Sequence, residues 1–140
     1  MDILCVVDTA TREVTVVDNV IIAAFDHNVD VAHIVIEPIE GFALNTSTIR
    51  IAALSPTNTR HDYNIDPATV EIDEETGSIS FDWPIPQSAT EMPLGVYRPG
   101  DTATLDFAIC AEIRTGSSLS QAWHSANGEI TVVAHLEPEE

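Results

Sequence analysis

The sequence predicts an all-β fold, a single-domain antiparallel β-sandwich of the immunoglobulin-like or jelly-roll-like type. Short segments rich in β-branched residues recur along the whole chain, separated by turn-forming words such as SPTNTRHD, DEETGS and SANGE. Long stretches with the helical i, i+3, i+4, i+7 apolar spacing are nearly absent. The chain has 140 residues, which is the size of one domain. Because 44% of them are hydrophobic, it has enough apolar residues for a core.

The segments with strand composition follow one another closely. In chain order they are DILCVVD, EVTVVDN, VIIAAF, DVAHIVIEPI, STIRIAAL, TVEID, SISFDW, ATLDFAICAEI and EITVVAHLE. The clearest alternation is in ATLDFAICAEI, whose apolar face contains Leu105, Phe107, Ile109, Ala111 and Ile113. In DVAHIVIEP a second alternation places three apolar residues on one face, Ala32, Ile34 and Ile36. We expect such strands to have one buried and one wetter face.

The domain is expected to span residues 1–140. Residues 1–19 are predicted as an N-terminal strand hairpin or arm that could pair with a neighbouring subunit, and residues 137–140 as a frayed acidic tail. The proline-containing stretch from Pro84 to Asp101 is predicted as a long loop. The N-terminus carries Asp2 where a signal peptide needs positive charge, so we expect an unprocessed protein made in the cytoplasm.

The charge of the chain is strongly negative. The formal net charge is −18, there is no lysine, and the five basic residues are all arginines. Phosphate backbones and anionic membrane surfaces should repel such a chain, so we expect neither nucleic acid nor membranes as partners. No apolar run approaches the roughly 20 residues that span a bilayer.

One acidic stretch, VEIDEETGSISFDWPIP, raises the question of a metal site. Carboxylates at Asp73, Glu74 and Glu75 precede Gly77, but the spacing of an EF-hand calcium loop fails. Alternating apolar residues on either side indicate a hairpin with a polar tip from Asp73 to Ser78. We therefore expect a solvated turn, with these three carboxylates as weak calcium candidates, and no cofactor.

Signatures of enzyme chemistry are missing from the sequence. There is no GxSxG, P-loop, GxGxxG or CxxC motif, and the five histidines lack zinc spacing. Cys5 and Cys110 lie far apart and are predicted to be reduced packing residues. Neither cysteine has a histidine nearby in sequence, so a Cys–His nucleophile is not expected. The expectation is that the protein is not an enzyme.

The candidate partner or ligand surface consists of three aromatic residues, Trp83, Tyr97 and Trp123. Trp83 and Tyr97 bracket the predicted long loop, and Trp123 precedes the last strand. The favoured interpretation of each tryptophan is a core residue or a subunit contact, and the three aromatics are the candidates if a ligand or partner surface exists. A carbohydrate-binding module would need these rings exposed on one face.

The order of features resembles the N-terminal β-sandwich domains of phage baseplate upper proteins and phage head-fibre proteins. The resemblance covers roughly Val20 to Glu137. It consists of a hairpin and a final strand, with the matching residues Asp73, Gly77, Ile79, Phe81, Pro84, Trp123, Ser125, Ile130 and Val132. It implies a non-enzymatic attachment module that binds a larger virion scaffold, often as a trimer.

On this resemblance we expect a virion structural protein that binds other virion proteins. In longer family members a stalk or fibre follows the domain, whereas this sequence ends after LEPEE, so we expect capsid decoration or a tail or baseplate accessory role. The expected location is the virion, and the expected state is a homo-oligomer. The alternatives are a carbohydrate- or host-surface-binding module and a calcium-stabilised adhesion domain.

Overall fold

The computed structural model describes residues 2–17, 20–24, 29–37, 42–92, 98, 100–115 and 119–134. Within them the strands are β1 (Asp2–Asp8), β2 (Val14–Val16), β3 (Ile21–Ala23), β4 (Val31–Glu37), β5 (Phe42–Leu54), β6 (Arg60–Asn64), β7 (Glu71–Ile72), β8 (Ile79–Pro84), β9 (Thr102–Thr115), β10 (Leu119–His124) and β11 (Gly128–Val133). Two short helical segments accompany them, a 3-10 turn (Pro67–Thr69) and α1 (Gln87–Thr90). The strands form two sheets packed face to face, which confirms the predicted single-domain β-sandwich.

The two sheets have a mixed topology. The five-stranded sheet has the order β2-β1-β4-β8-β7, and the six-stranded sheet has the order β3-β11-β9-β5-β6, with β10 also paired to β9. The prediction of purely antiparallel sheets needs correction, because β1 pairs with β4 and β3 pairs with β11 in parallel. The physical reason is the route of the chain. After β2 the chain adds β3 to the opposite sheet and returns with β4 beside β1, and such a crossover permits parallel pairing.

The core lies between the inner faces of the sheets and follows the predicted alternation. Five inward residues of β9 are at most 4% exposed, namely Leu105, Phe107, Ile109, Ala111 and Ile113. On the opposite sheet β4 contributes Ala32, Ile34 and Ile36. Burial of these apolar side chains is the main favourable term for the fold.

The N-terminal segment is part of this core. β1 and β2 form an antiparallel hairpin, and β1 lies inside its sheet between β2 and β4. The side chains of Ile3, Cys5 and Val7 are fully buried. Deleting residues 1–19 would therefore remove a core strand and could not test whether the hairpin pairs with a neighbouring subunit. Residues 137–140 lie outside the described residues, as do residues 93–97 and 99 of the predicted loop between Pro84 and Asp101. The described part of that loop contains α1.

A one-residue β-bulge separates β10 from β11. Both strands pair with the same edge of β9, but His124 pairs with Cys110 whereas Gly128 pairs with Phe107, so four steps on one strand match three on the other. Buried Ser125 holds the bulge together. Its N–H donates to the Ile109 carbonyl at 2.9 Å, and its Oγ accepts from the Ile109 N–H at 2.9 Å.

Candidate functional site

The structure places two of the three candidate surface aromatics in the core. Trp83 and Trp123 are each only 3% exposed, so neither ring face is open to a ligand. Tyr97 lies outside the described residues. The stacking platform that a carbohydrate-binding module needs is therefore not provided by the two tryptophans.

Trp83 joins the two sheets through a ladder of aromatic rings. Its ring lies 5.8 Å from that of Phe107 in the opposite sheet and 5.7 Å from that of Tyr63 on β6. The Tyr63 hydroxyl is 2.6 Å from the Ser88 hydroxyl of α1, and burial raises the pKa of Tyr63. Tilted rings at such distances stabilise each other beyond the area they bury. The role of Trp83 is therefore to hold the sandwich together.

The acidic stretch is a hairpin turn between β7 and β8, as predicted. Asp73 Oδ1 accepts hydrogen bonds from the N–H groups of Glu75 at 2.9 Å and Thr76 at 3.4 Å, and Gly77 takes a positive φ of 78°. The Asp73 carboxylate thus fixes the turn. Glu74 and Glu75 are exposed. Among the described residues, no three His, Cys, Asp or Glu side chains are grouped so that they could hold a metal ion.

A groove of about 800 Å³ opens on the outer face of the six-stranded sheet. Small side chains line it, Ala52, Ala108, Cys110 and Ala122 on neighbouring strands and Ala126 in the bulge. Charged and polar side chains also line it, Arg50, Arg60, Asp106, Glu112, His124 and Asn127. The small side chains leave room for a flat or extended occupant, and the polar groups supply hydrogen-bond donors and acceptors around it.

The charges in the groove are unevenly paired. A terminal nitrogen of Arg60 lies 3.3 Å from a carboxylate oxygen of Asp62. For Arg50 no ion pair is seen within the described part of the chain. Asp106 has a raised pKa, first because it is partly desolvated and second because Glu129 lies beside it. The groove thus offers an open guanidinium, which can bind a carboxylate in bidentate fashion.

Sequence reasoning missed that a thiol and an imidazole meet in this groove. Cys110 pairs with His124 on one side and with Arg50 on the other, so the three side chains form one row across β5, β9 and β10. The His124 ring nitrogen Nδ1 lies 3.0 Å from the Ser125 carbonyl oxygen. Because a carbonyl only accepts, Nδ1 is the donor, and in the neutral ring Nε2 is then the nitrogen that can accept a hydrogen bond. No hydrogen bond joins Cys110 to His124 among the described contacts. Their 14-residue separation gives no linear signal, and only the strand register brings them together.

The two cysteines differ in environment. Cys5 is fully buried in β1, and burial raises its pKa to about 11, so its thiol is a packing group. Cys110 is half-buried at the groove. Both thiols are free, as predicted.

A second polar cluster lies on the outer face of the five-stranded sheet. His33 of β4 faces Asp82 of β8 through Nδ1 and Asp2 of β1 through Nε2, the latter at 3.2 Å. Carboxylates only accept hydrogen bonds, so two such contacts require the doubly protonated ring. The hydrogen bonds to Asp82 and then to Asp2 raise the pKa of His33. The two carboxylates lie against opposite nitrogens of the ring, so they do not converge on one ion.

No model of a known protein family matches the chain, and no curated protein matches it. In the described residues no helix has the length and apolar character needed to cross a membrane.

Proposed function

We propose that this protein is a non-enzymatic structural component of a phage particle, a capsid decoration or a tail or baseplate accessory, which acts by binding other particle proteins. The proposal rests on the resemblance of its hairpin and final strand to the sandwich domains of phage baseplate upper and head-fibre proteins. The structure contributes the roles of the individual residues in that pattern.

The observation that carries the proposal is that the residues of the pattern are scaffold residues. Asp73 and Gly77 form the turn, and Ser125 holds the bulge. The apolar members of the pattern are buried, namely Ile79, Phe81, Trp123, Ile130 and Val132. Residues that form a turn, a bulge and a core preserve an architecture and not a reactive site. The pattern therefore supports a shared scaffold that binds other proteins.

The surfaces available for docking also support the proposal. β6 pairs only with β5, and β10 pairs only with β9, among the described strands. Each therefore leaves an outer edge with unpaired backbone groups, beside the groove that carries Arg50. Strand addition by a neighbouring chain would pair such an edge, and a homo-oligomer or a larger assembly is part of the proposal.

The experiment that tests the proposal is quantitative mass spectrometry of density-purified particles from the source. The chain is counted relative to the main shell protein. A copy number in the hundreds supports capsid decoration, and a few to tens of copies support a tail or vertex position. Absence from purified particles, with the chain present in the same infected cells, would reject the proposed function.

A further inference from the structure

The two central strands of the five-stranded sheet are apolar on both faces. β1 contains the run ILCVV and β4 the run VAHIVI. Near-continuous apolar runs are typical of strands that are covered on both sides, whereas strands with one solvated face alternate. The inner residues of both strands are in the core. Their outer residues raise the question of what covers them.

The outer apolar residues define a surface that we call the valine face: Leu4, Val6, Val17, Val31 and Val35. Within it His33 lies between Val31 and Val35 on β4 and pairs with Leu4. Val6 pairs directly with Val35 across the parallel β1–β4 ladder. The Val17 N–H donates to the Leu4 carbonyl at 2.9 Å, so Val17 lies beside Leu4. Leu4 is 40% exposed and Val17 50% exposed. Val6, Val31 and Val35 are half-buried.

Carboxylates border the valine face at the ends of β1 and β4 and on the side of β8 and β7. Asp2 and Asp8 lie at the two ends of β1, Glu37 ends β4, and Asp82 lies on β8. Glu71 of β7 is a further carboxylate on this side of the face, because it pairs with Ser80 and Ser80 pairs with Val35. The basic group on this face, among the described residues, is His33, and it is already engaged by Asp2 and Asp82. The face therefore has an apolar patch centred on Leu4, Val6 and Val35. Its rim is acidic and includes the cluster in which Asp2 and Asp82 flank His33.

The charge of the rim selects among possible occupants. The same face of a second copy would oppose carboxylates to carboxylates, which is unfavourable in a chain of net charge −18. A phosphate backbone is repelled for the same reason. A complementary occupant has an apolar centre and lysines or arginines at its rim.

We propose that the valine face is the docking surface for a partner protein whose contact patch is apolar at its centre and basic at its rim. The inference rests on the proposed function in one respect, namely that the partner is another protein of the particle. It assigns the valine face as the surface through which this chain binds that partner.

The test uses the full chain with its leucine and valine methyl groups labelled for NMR. Two synthetic peptides of equal length and equal charge serve as probes, one alternating lysine with leucine and the other alternating lysine with serine. We expect the lysine–leucine peptide to bind about tenfold more tightly, because it alone can bury apolar area. Its binding should shift the methyl signals of Leu4, Val6 and Val35.

Two variants localise the effect without changing charge. Leu4→Ser should weaken binding of the lysine–leucine peptide by about tenfold. Ile21→Ser is the matched control and should bind as the wild type does, because Ile21 is similarly exposed at 54%, lies on β3 of the opposite sheet and does not line the groove. Circular dichroism shows whether both variants are folded. Should Leu4→Ser unfold the chain, the methyl shifts of the wild type decide.

Other outcomes overturn the inference. Equal binding of the two peptides would show that charge alone attracts them, and shifts confined to the groove would place the site on the other sheet. Valine-face signals that move with protein concentration, together with a dimer mass, would make a second copy the occupant. Particle mass spectrometry is independent of these results, so selective peptide binding by a chain absent from particles rejects only the proposed function.

Discussion

Gly128, the first residue of β11, is predicted to tolerate no side chain. A Cβ atom added there would lie 2.7 Å from Cζ of Phe107 and 2.8 Å from Cγ1 of Val14. Carbon atoms pack best at about 3.5–4.0 Å, so both neighbours would have to move by roughly 1 Å. Phe107 is 1% exposed and its ring packs against that of Trp83 at a tilt of 44°, so it has little freedom to move.

The expected cost of Gly128→Ala is at the upper end of the range for overpacked cores, about 3 kcal/mol. For a domain near this size each kcal/mol lowers Tm by about 2–4 °C, so Tm should fall by about 6–12 °C. The assay is urea unfolding of both proteins followed by circular dichroism, with Tm from thermal scans.

Two further variants separate a steric cause from a backbone cause. Val14→Ala removes one of the clashing atoms, so in a double-mutant cycle it should relieve about 1 kcal/mol of the Gly128→Ala penalty. Gly100→Ala tests backbone strain alone, because Gly100 has a φ of +94° and nothing lies within 4 Å of its added Cβ. Its cost should be about 1–2 kcal/mol and independent of Val14. Surface substitutions usually change the free energy of unfolding by less than about 0.5 kcal/mol. If Gly128→Ala changed it by no more than that, the packing argument would be refuted.

Three other predictions concern side chains of the two outer faces and the bulge. Ser125→Ala should destabilise the fold by about 1–3 kcal/mol, because it leaves the buried Ile109 N–H without its acceptor. Urea unfolding measures this, and a decrease of less than about 0.5 kcal/mol in the free energy of unfolding would contradict it. The pKa of His33 is raised above 6.5, so its stabilising effect is complete below that pH and is lost as pH rises through the raised pKa. The fall in Tm between about pH 6 and about pH 9 should therefore be smaller in His33→Gln than in wild type, and equal falls would exclude this role. In the native protein iodoacetamide should modify Cys110 and spare Cys5, which mass spectrometry of the peptides would show; equal modification would contradict the burial of Cys5.

Alternation along the chain was enough to predict the sandwich core. In β9 every second residue from Leu105 to Ile113 is apolar, and each of them is buried. The same rule could have placed Trp83 in the core from sequence, because it lies two residues after Phe81 and residues two apart share a face. Residue type alone makes Trp83 a surface candidate, whereas the period of the strand correctly places it in the core.

Features that depend on pairing between distant strands were not predictable in this way. β6 has the sequence RHDYN, and its first three residues belong to the predicted turn SPTNTRHD. It is a strand because it pairs with β5, with Tyr63 facing inward. The parallel pairing of β1 with β4 leaves no mark in alternation, which is the same for either direction. The row of Arg50, Cys110 and His124 likewise exists only through the register of three strands.

The charge of the chain and its valine face have opposite effects on association. Exposed apolar residues such as Leu4 and Val17 favour contact with any apolar surface. The carboxylates around them, and a net charge of −18, oppose contact with other acidic surfaces, including further copies of the same chain. On the proposed docking mode, apolar burial supplies affinity, and the acidic rim excludes partners that lack basic residues. Salt screens the charges of the rim but leaves apolar burial intact. Raising the salt concentration should therefore reduce the preference for partners with a basic rim more than it reduces the affinity for such a partner.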